Sequence, residues 1–198
     1  MVNIKLYVEG AGQTDTQRSI CRQAFSEFFD KAGITRRPRT IPCGGRASTF
    51  DVYQTALENN KNEIVLLLVD SEDAVAEGST IWDHLKTRDG WEKPTGADEK
   101  RTFLMVCVME TWFLADRDAL KQVFGQKFKE NSLPNRKDFE SIAKASVYKS
   151  LANATGGCKK AYAKGDVSFE VLKAVNPVRV EAACPAAKRL LNYLRNPD

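Results

Sequence analysis

Two segments of the chain are apolar at nearly every position, and they limit the available folds more than any other feature. They are residues 63–69 (EIVLLLV) and 102–108 (TFLMVCV). A strand that is apolar on both faces is typical of the middle of a parallel sheet, where helices cover both sides. Both segments are much shorter than the roughly 20 apolar residues of a bilayer span. The pattern therefore predicts a buried parallel sheet in a soluble protein.

Two weaker strands are predicted nearer the N-terminus, at residues 4–8 and 39–42. Between the first two strands, Thr14 or Asp15 is expected to cap a helix that ends near Gly33. Helical spacing predicts further helices at residues 49–60, 81–87, 118–124 and 138–145, near 169–172, and at 185–194. Strands that alternate with helices imply right-handed crossovers and a parallel sheet with helices on both faces. We therefore expect a Rossmann-like α/β fold.

Charge is distributed unevenly along the 198 residues, although the net charge is only +4. Residues 1–116 carry 14 Lys and Arg against 18 Asp and Glu, whereas residues 117–198 carry 16 against 8. We expect residues 1–116 to form the core and residues 117–198 to form a helical, basic part packed on it. A basic half suggests an anionic partner, but two ordinarily solvated faces explain the counts equally well.

The cysteines and the N-terminus suggest a cellular location. Five widely spaced cysteines and a single histidine fit neither a disulfide framework nor a structural zinc site. Free thiols are typical of a reducing compartment. The first ten residues do not have the pattern of a signal peptide. We therefore expect a cytoplasmic protein without a membrane partner.

Carboxylates follow three of the four predicted strands. Glu9 follows the first strand, Asp70, Glu72 and Asp73 follow the third, and Glu110 follows the fourth. Because ligands of open α/β sheets bind at the carboxyl edge of the strands, we expect these side chains to converge there. A cluster of hard oxygens without His or Cys suits Mg²⁺ or Mn²⁺, which assist phosphodiester cleavage. The alternative is that these acids are the caps and solvated turns common at strand ends.

Several other residues have the chemistry of phosphate contacts. Gly10 and Gly12 would let a phosphate or nucleotide approach the backbone beside Glu9. Arg46 follows the second strand and is expected to face phosphate, with a simple turn as the alternative. Lys159 and Lys160 are candidates for a surface that binds a nucleic-acid backbone.

At these residues the chain resembles the Toprim domain of topoisomerases, bacterial primases and nucleases of the overcoming-lysogenization-defect type. The Toprim pattern is Glu-Gly after the first strand and Asp-x-Asp after a later apolar strand. Here these are Glu9-Gly10 and Asp70-Ser71-Glu72, so Glu72 replaces the usual aspartate. The resemblance implies a Toprim-like core in which Glu9 acts as general base or metal ligand, and Asp70 and Glu72 hold the metal.

The chain is also similar to a small family of uncharacterised bacterial Toprim-like proteins. The similar blocks are VMETWFLAD at 108–116, YAKGDVSFEVLKAVNP at 162–177 and the Cys-Pro pair at 184–185. Genes of such proteins often neighbour ABC- or SMC-type ATPases in phage-defence loci. The resemblance thus implies a nuclease subunit that works with an ATPase.

Two further site residues are proposed beside the minimal Toprim pattern. The strand-end position of Glu110 makes it a further candidate ligand at the catalytic site. Lys164, within the tail block, would neutralise charge in the transition state, as basic groups do in phosphoryl transfer. A solvated surface lysine is the alternative for Lys164.

The sequence and this resemblance thus predict a Mg²⁺- or Mn²⁺-dependent nuclease of DNA or RNA, with DNA the expected substrate. Two other functions remain open. One is a non-catalytic scaffold or regulatory module that binds an ATPase or nucleic acid. The other is a primase-like nucleotidyl-transferring enzyme. A complete topoisomerase is not expected, because the chain has no room for the separate tyrosine-bearing domain that such enzymes use.

Overall fold

A parallel four-stranded sheet forms the centre of the molecule. The computed structural model describes residues 3–12, 14–59, 62–136 and 138–197. The strands are β1 (Asn3–Val8), β2 (Arg39–Pro42), β3 (Glu63–Asp70) and β4 (Thr102–Met105), and all pairs are parallel. Their order is β2-β1-β3-β4, so the strand order reverses between β1 and β3. The predicted α/β class with a parallel sheet is confirmed.

Eight α-helices are present in the described part of the chain, and they flank the sheet. They are α1 (Asp15–Lys31), α2 (Arg46–Asn59), α3 (Ile81–Asp89), α4 (Arg117–Phe124), α5 (Lys144–Thr155), α6 (Asp166–Ala174), α7 (Pro177–Ala183) and α8 (Pro185–Arg195). Short 3₁₀ helices lie at Glu99–Arg101, Met109–Ala115 and Glu130–Ser132. In the parts of the chain given above, no helix combines the length and the apolar character needed to cross a bilayer.

The sheet buries side chains on both faces, as the apolar strands predict. On one face Leu6, Leu66 and Phe103 belong to a cluster that also contains residues of α1, α6 and α8. On the opposite face Tyr7 and Leu67 belong to a second cluster, with residues of α2 and α3. Full burial of each such side chain stabilises the fold by roughly 1.5–3 kcal/mol. The sheet therefore cannot shift its register without exposing one of these layers.

Among the described residues after position 116, every regular element is helical. Helices α4 to α8 contribute to the cluster on the first face, where Leu190 of α8 and Leu172 of α6 are fully buried. Asp116 caps α4 by accepting a hydrogen bond from the Ala119 N–H, and it also accepts from the Asn176 N–H. The helical C-terminal part thus shares a core with the sheet.

Some predicted boundaries differ from the structure. Strand β4 ends at Met105 rather than residue 108, because Cys107 has a left-handed φ of 59° and the chain then winds into a 3₁₀ helix. Helix α2 begins at Arg46, three residues early, and its predicted last residue, Asn60, lies outside the described residues. The sequence pattern also did not predict α7.

The helix predicted at residues 138–145 is wrong. The regular helix of this region, α5, begins at Lys144. Phe139 and Ile142 are spaced as on a helix, but they close only one turn, with the Ile142 N–H donating to the Phe139 carbonyl. The side chain of Glu140 instead accepts a hydrogen bond from the Ala186 N–H at the start of α8. Tertiary contacts have replaced the helical continuation at this position.

Candidate metal centre and adjoining cavity

Three carboxylates meet at the carboxyl ends of β1 and β3. Glu9, Asp70 and Glu72 each offer an oxygen, and these oxygens lie within 4.8 Å of one another. The register of the sheet accounts for this, since Val8 pairs with Leu68 and places the next residues of both strands at the same edge. This edge is also where the strand order reverses, the usual ligand position in open α/β sheets.

Asp70 is the most deeply buried of the three acids. It is 6% exposed, and its Oδ1 accepts a hydrogen bond from the Met109 N–H at 2.9 Å. Burial raises the pKa of Asp70 well above its usual range, and the charges of Glu9 and Glu110 raise it further. A cation bound at this position would stabilise the ionised carboxylate and offset the repulsion.

Glu9 joins the first strand to the third. Its Oε2 accepts hydrogen bonds from Arg46 Nη1 at 3.0 Å and from the Asp70 N–H at 3.2 Å. Burial raises the pKa of Glu9, Arg46 lowers it, and the charge of Glu72 raises it again. The net direction is upward, which brings Glu9 closer to the range of a general base that works near neutral pH.

Glu72 reaches the group through an unusual backbone conformation. Its φ is +69°, in the left-handed region that few residues other than glycine adopt. The Glu72 N–H donates to the Cys107 carbonyl at 2.8 Å, which fixes the turn after β3. Its carboxylate pairs with Lys144, and Arg88 Nη2 lies 3.5 Å away.

Arg46 lies beside the acids but is already engaged. Its guanidinium forms a bidentate ion pair with Asp89, with Nε–Oδ1 and Nη2–Oδ2 distances of 2.8 and 2.6 Å, in addition to its hydrogen bond with Glu9. The ring of Trp91 packs against it, with the Cζ atom 4.8 Å from the ring centroid. Although burial opposes it, the hydrogen bonds and charge of Arg46 lower the pKa of Asp89. In this arrangement Arg46 orients carboxylates rather than standing free for phosphate.

A cavity of about 480 Å³ adjoins the carboxylates. Glu9, Asp70 and Glu110 line it, together with the backbones of Gly10, Gly12, Gly44 and Gly45 and the side chains of Met105, Met109, Lys164 and Phe169. Gly10 has a φ of +127° and exchanges backbone hydrogen bonds with Gly44. The two glycine turns therefore form one wall, and the segment before α6 forms another. A volume of this size is typical of small-ligand sites.

Lys164 brings a positive charge to this cavity. It lies close enough to Asp70 to lower that carboxyl's pKa, against the larger effect of burial. Its Nζ lies 5.8 Å from the centroid of the Tyr148 ring. Lys164 forms no ion pair or hydrogen bond with the residues that the structure describes. Its ammonium is thus available to an anion in the cavity.

Glu110 lies outside the three-carboxylate group, although it lines the same cavity. It is 1% exposed, and hydroxyl groups surround its carboxylate. Tyr162 and Ser168 donate to Oε1 at 2.6 and 3.0 Å, and Tyr148 donates to Oε2 at 3.4 Å. The oxygens that were expected to bind metal are therefore held by the protein.

The other predicted site residues lie elsewhere. The Asp73 side chain is 79% exposed and is not one of the three grouped acids. Lys159 and Lys160 line a separate surface cavity beside Cys158, and Lys160 pairs with Glu170. The structure thus brings Glu9, Asp70, Glu72, Arg46 and Lys164 together, along with Gly10 and Gly12.

Several residues of the site were not found by sequence reasoning. They are Arg88, Asp89, Lys144, Tyr148, Tyr162 and Ser168. Arg88 and Asp89 end α3, and Lys144 begins α5, where charged residues are ordinary. Only Tyr162 and Ser168 carried a signal, because both fall within the tail block that also contains Lys164.

The three grouped carboxylates fit a hard divalent cation. All three offer oxygen, and no His or Cys side chain belongs to the group. Glu9, Asp70 and Glu72 would hold Mg²⁺ or Mn²⁺, and such an ion would offset the burial and the neighbouring carboxylates that raise the pKa of Asp70.

The family model described as a domain of unknown function, DUF4276, matches residues 8–195, and the chain belongs to this family. No curated protein and no solved structure matches the chain.

Proposed function

We propose that this protein is a Mg²⁺- or Mn²⁺-dependent nuclease that hydrolyses phosphodiester bonds of DNA or RNA. The observation that carries the proposal is the grouping of Glu9, Asp70 and Glu72 within 4.8 Å, since Glu9 and Asp70 also line a ligand-sized cavity. The Lys164 ammonium, which forms no ion pair or hydrogen bond with the described residues, lies in the same cavity and supports a phosphate substrate. The Toprim resemblance of these residues, in Glu9-Gly10 and Asp70-Ser71-Glu72, also supports the proposal.

The side chains divide the chemistry among them. A divalent ion, when bound, would polarise a phosphoryl oxygen and lower the pKa of water. Asp70 and Glu72 would hold that ion, and Glu9, beside them, would accept the proton of the attacking water. The water oxygen forms a bond to phosphorus while the ester oxygen leaves and takes a proton from solvent. Lys164 offsets the negative charge that collects on the phosphoryl oxygens.

The proposal extends to the protein's surroundings, on the strength of the resemblance alone. The nuclease would act in the cytoplasm as the effector subunit of an ATPase-containing phage-defence complex. An ABC- or SMC-type ATPase would be its partner, and DNA its more favoured polymer. The excess of positive charge in residues 117–198 is consistent with contact to a polyanion.

The decisive experiment compares carboxylate variants. Wild type is incubated with plasmid DNA, linear DNA and RNA in Mg²⁺ or Mn²⁺, and Mn²⁺ binding is measured by calorimetry. Asp70→Asn and Glu9→Gln should lower the cleavage rate about 100-fold or more. Asp73→Asn is the matched control, since it changes an exposed acid outside the group, and it should cut normally. Cleavage by Asp70→Asn at the wild-type rate would refute the assignment.

A non-catalytic module is the second candidate, and one observation favours it. Arg46 already pairs with Glu9, and Lys144 with Glu72, so protein cations balance part of the negative charge. A module of this kind would bind an ATPase or a nucleic acid through the same edge without hydrolysis. Absence of Mn²⁺ binding by wild type, together with tight binding of a partner, would favour this function over the nuclease.

A further inference from the structure

Lys164 sits in a segment that has little regular structure of its own. Residues 156–165 lie between the end of α5 and the start of α6 and contain neither helix nor strand. A long lysine on such a segment is a poor phosphate ligand unless something fixes the backbone, because its position would vary with the loop. The contacts on either side of Lys164 therefore decide where its ammonium lies.

One carboxylate holds both sides of this segment. Tyr162 and Ser168 bracket Lys164 in the sequence, and both donate to Oε1 of Glu110, at 2.6 and 3.0 Å. The two hydroxyl oxygens also lie 3.2 Å from each other. Tyr148, whose ring faces the Lys164 ammonium, donates to Oε2 of the same carboxylate. Glu110 thus connects three elements around Lys164.

The burial of Glu110 makes these contacts strong constraints. A carboxyl group that is 1% exposed is destabilised severely unless hydrogen bonds satisfy its oxygens. The donors here come from α5, from the segment that carries Lys164 and from α6. Movement of that segment away from the cavity would leave the buried carboxyl oxygens with too few hydrogen bonds. The carboxylate therefore favours one position of the segment.

We infer that Glu110 is a positioning residue, which holds the segment between Tyr162 and Ser168 so that Lys164 meets the substrate phosphate beside Asp70. The inference rests on the proposed nuclease function and assigns the residue that places its phosphate-binding lysine. It differs from a role for Glu110 as metal ligand, because the carboxylate lies outside the three-acid group and its oxygens accept from hydroxyls.

A double-mutant cycle tests whether Glu110 acts through Lys164. The cleavage rate is measured for wild type, Glu110→Ala, Lys164→Ala and the double variant. Each single variant should lower kcat about 10- to 100-fold. The kcat of the double variant should be no lower than that of the less active single variant, because both substitutions remove the same interaction. A double variant whose fold-loss of kcat equals the product of the two single losses would overturn the inference.

Metal binding and a conservative variant separate positioning from ligation. Glu110→Gln keeps an amide oxygen that accepts from Tyr162 and Ser168, so it should retain cleavage within about threefold of wild type. Its Mn²⁺ dissociation constant, measured by calorimetry, should also stay within about threefold. A loss of Mn²⁺ affinity of tenfold or more in Glu110→Gln would make Glu110 a ligand and overturn the inference.

Amide hydrogen exchange gives a readout that does not need catalysis. Glu110→Ala and the milder Tyr162→Phe should both increase exchange across residues 158–165, whereas Lys164→Ala should not. Unchanged exchange in folded Glu110→Ala or Tyr162→Phe would refute the positioning role even if wild type cleaves. Absence of cleavage by wild type would instead count against the nuclease function, while the exchange data would still decide whether Glu110 fixes the segment.

Discussion

Glu72 stands where the sequence resemblance would place an aspartate, and its surroundings show how the longer acid fits beside Glu9 and Asp70. Its left-handed φ of +69° turns the chain directly after β3, and its N–H is fixed by the Cys107 carbonyl. Its carboxylate remains grouped with Glu9 and Asp70. Lys144 pairs with this carboxylate from the start of α5. A divalent ion at Glu72 would therefore meet a protein cation already in place.

Removal of Lys144 should strengthen metal binding. Lys144→Met abolishes a positive charge in contact with Glu72, so repulsion of Mn²⁺ falls and the carboxylate is freed. Because the pair is partly exposed, we expect a modest decrease in the Mn²⁺ dissociation constant, about three- to tenfold. Calorimetric titration measures it.

Lys149→Met is the matched control for this prediction. It removes the same charge from an exposed position on the same helix, away from the acids. It should leave the dissociation constant within about twofold. Weaker Mn²⁺ binding by Lys144→Met would indicate that Lys144 supports the site instead of competing with the ion.

At the scale of elements, the start of α8 depends on a side chain from a distant segment. Helix α8 begins with Pro185 after Cys184, and no side chain of the N-cap residue binds its free N–H groups. Glu140 supplies the acceptor, with its carboxylate oxygens 3.0 and 3.3 Å from the Ala186 nitrogen. The same contact explains why residues 138–145 do not form the helix that their spacing suggests.

This contact should make stability depend on pH. Burial raises the pKa of Glu140 from 4.5 to about 7, although the Ala186 and Ala187 N–H groups oppose the shift. The folded protein therefore holds the proton up to about pH 7, while the unfolded chain releases it near pH 4.5. The resulting stabilisation is complete below pH 4.5 and is lost as the pH rises through about 7.

Glu140→Gln removes this titration but keeps an oxygen that accepts from the Ala186 N–H. As the pH rises from 5 to 8, its free energy of unfolding should fall by about 1 kcal/mol less than that of wild type, a figure that allows for the partial exposure of Glu140. Urea unfolding at several pH values measures the free energy of unfolding. Glu58→Gln, at an exposed glutamate on α2 that does not influence Glu140, should follow the wild-type curve. Parallel curves for wild type and Glu140→Gln would disprove this explanation.

For the whole molecule, the cavity requires both halves of the chain. The glycine turns after β1 and β2 form one side, and Lys164, Gly165 and Phe169 form another. The carboxylates lie between them, at the point where the strand order reverses. The charge asymmetry seen in the sequence therefore has a local counterpart, since acids of the first half lie near Lys164 of the second, which has no ion pair among the residues the structure describes.

Partial filling of this cavity should slow cleavage without loss of metal. Gly45 lines it, and a Cβ at this position meets no atom within 4 Å. Gly45→Leu should therefore be tolerated by the fold but should lower kcat/KM for a nucleic acid about tenfold or more, because the phosphate is displaced from the carboxylates. Mn²⁺ affinity, measured in parallel, should be unchanged.

Gly157→Leu serves as the matched control. Gly157 is equally exposed, and a Cβ there has only the Lys127 carbonyl oxygen at 4.0 Å, but it lines the separate cavity beside Cys158. It should cleave at the wild-type rate. Equal activity of Gly45→Leu and wild type would place the substrate outside the 480 Å³ cavity.

The sequence by itself determined the sheet and the meeting of its acids. Runs such as residues 63–69 indicate burial on both faces, and burial on both faces with intervening helices leaves a parallel sheet as the natural arrangement. Parallel strands align their carboxyl ends, so Glu9 and Asp70 had to lie at the same edge of the sheet, and the strand order of the structure made their strands neighbours. These conclusions depend only on local periodicity and on a geometric rule of the sheet.

Only the tertiary structure decided which partners these acids have. The sequence pattern did not predict that Glu110 would face Tyr162 and Ser168, because this depends on the left-handed turn at Cys107 that ends β4 early. The pairing of Lys144 with Glu72 joins residues 72 positions apart. Contacts of this kind follow from the packing of helices on a shared core, where shape and burial select neighbours that no local pattern records.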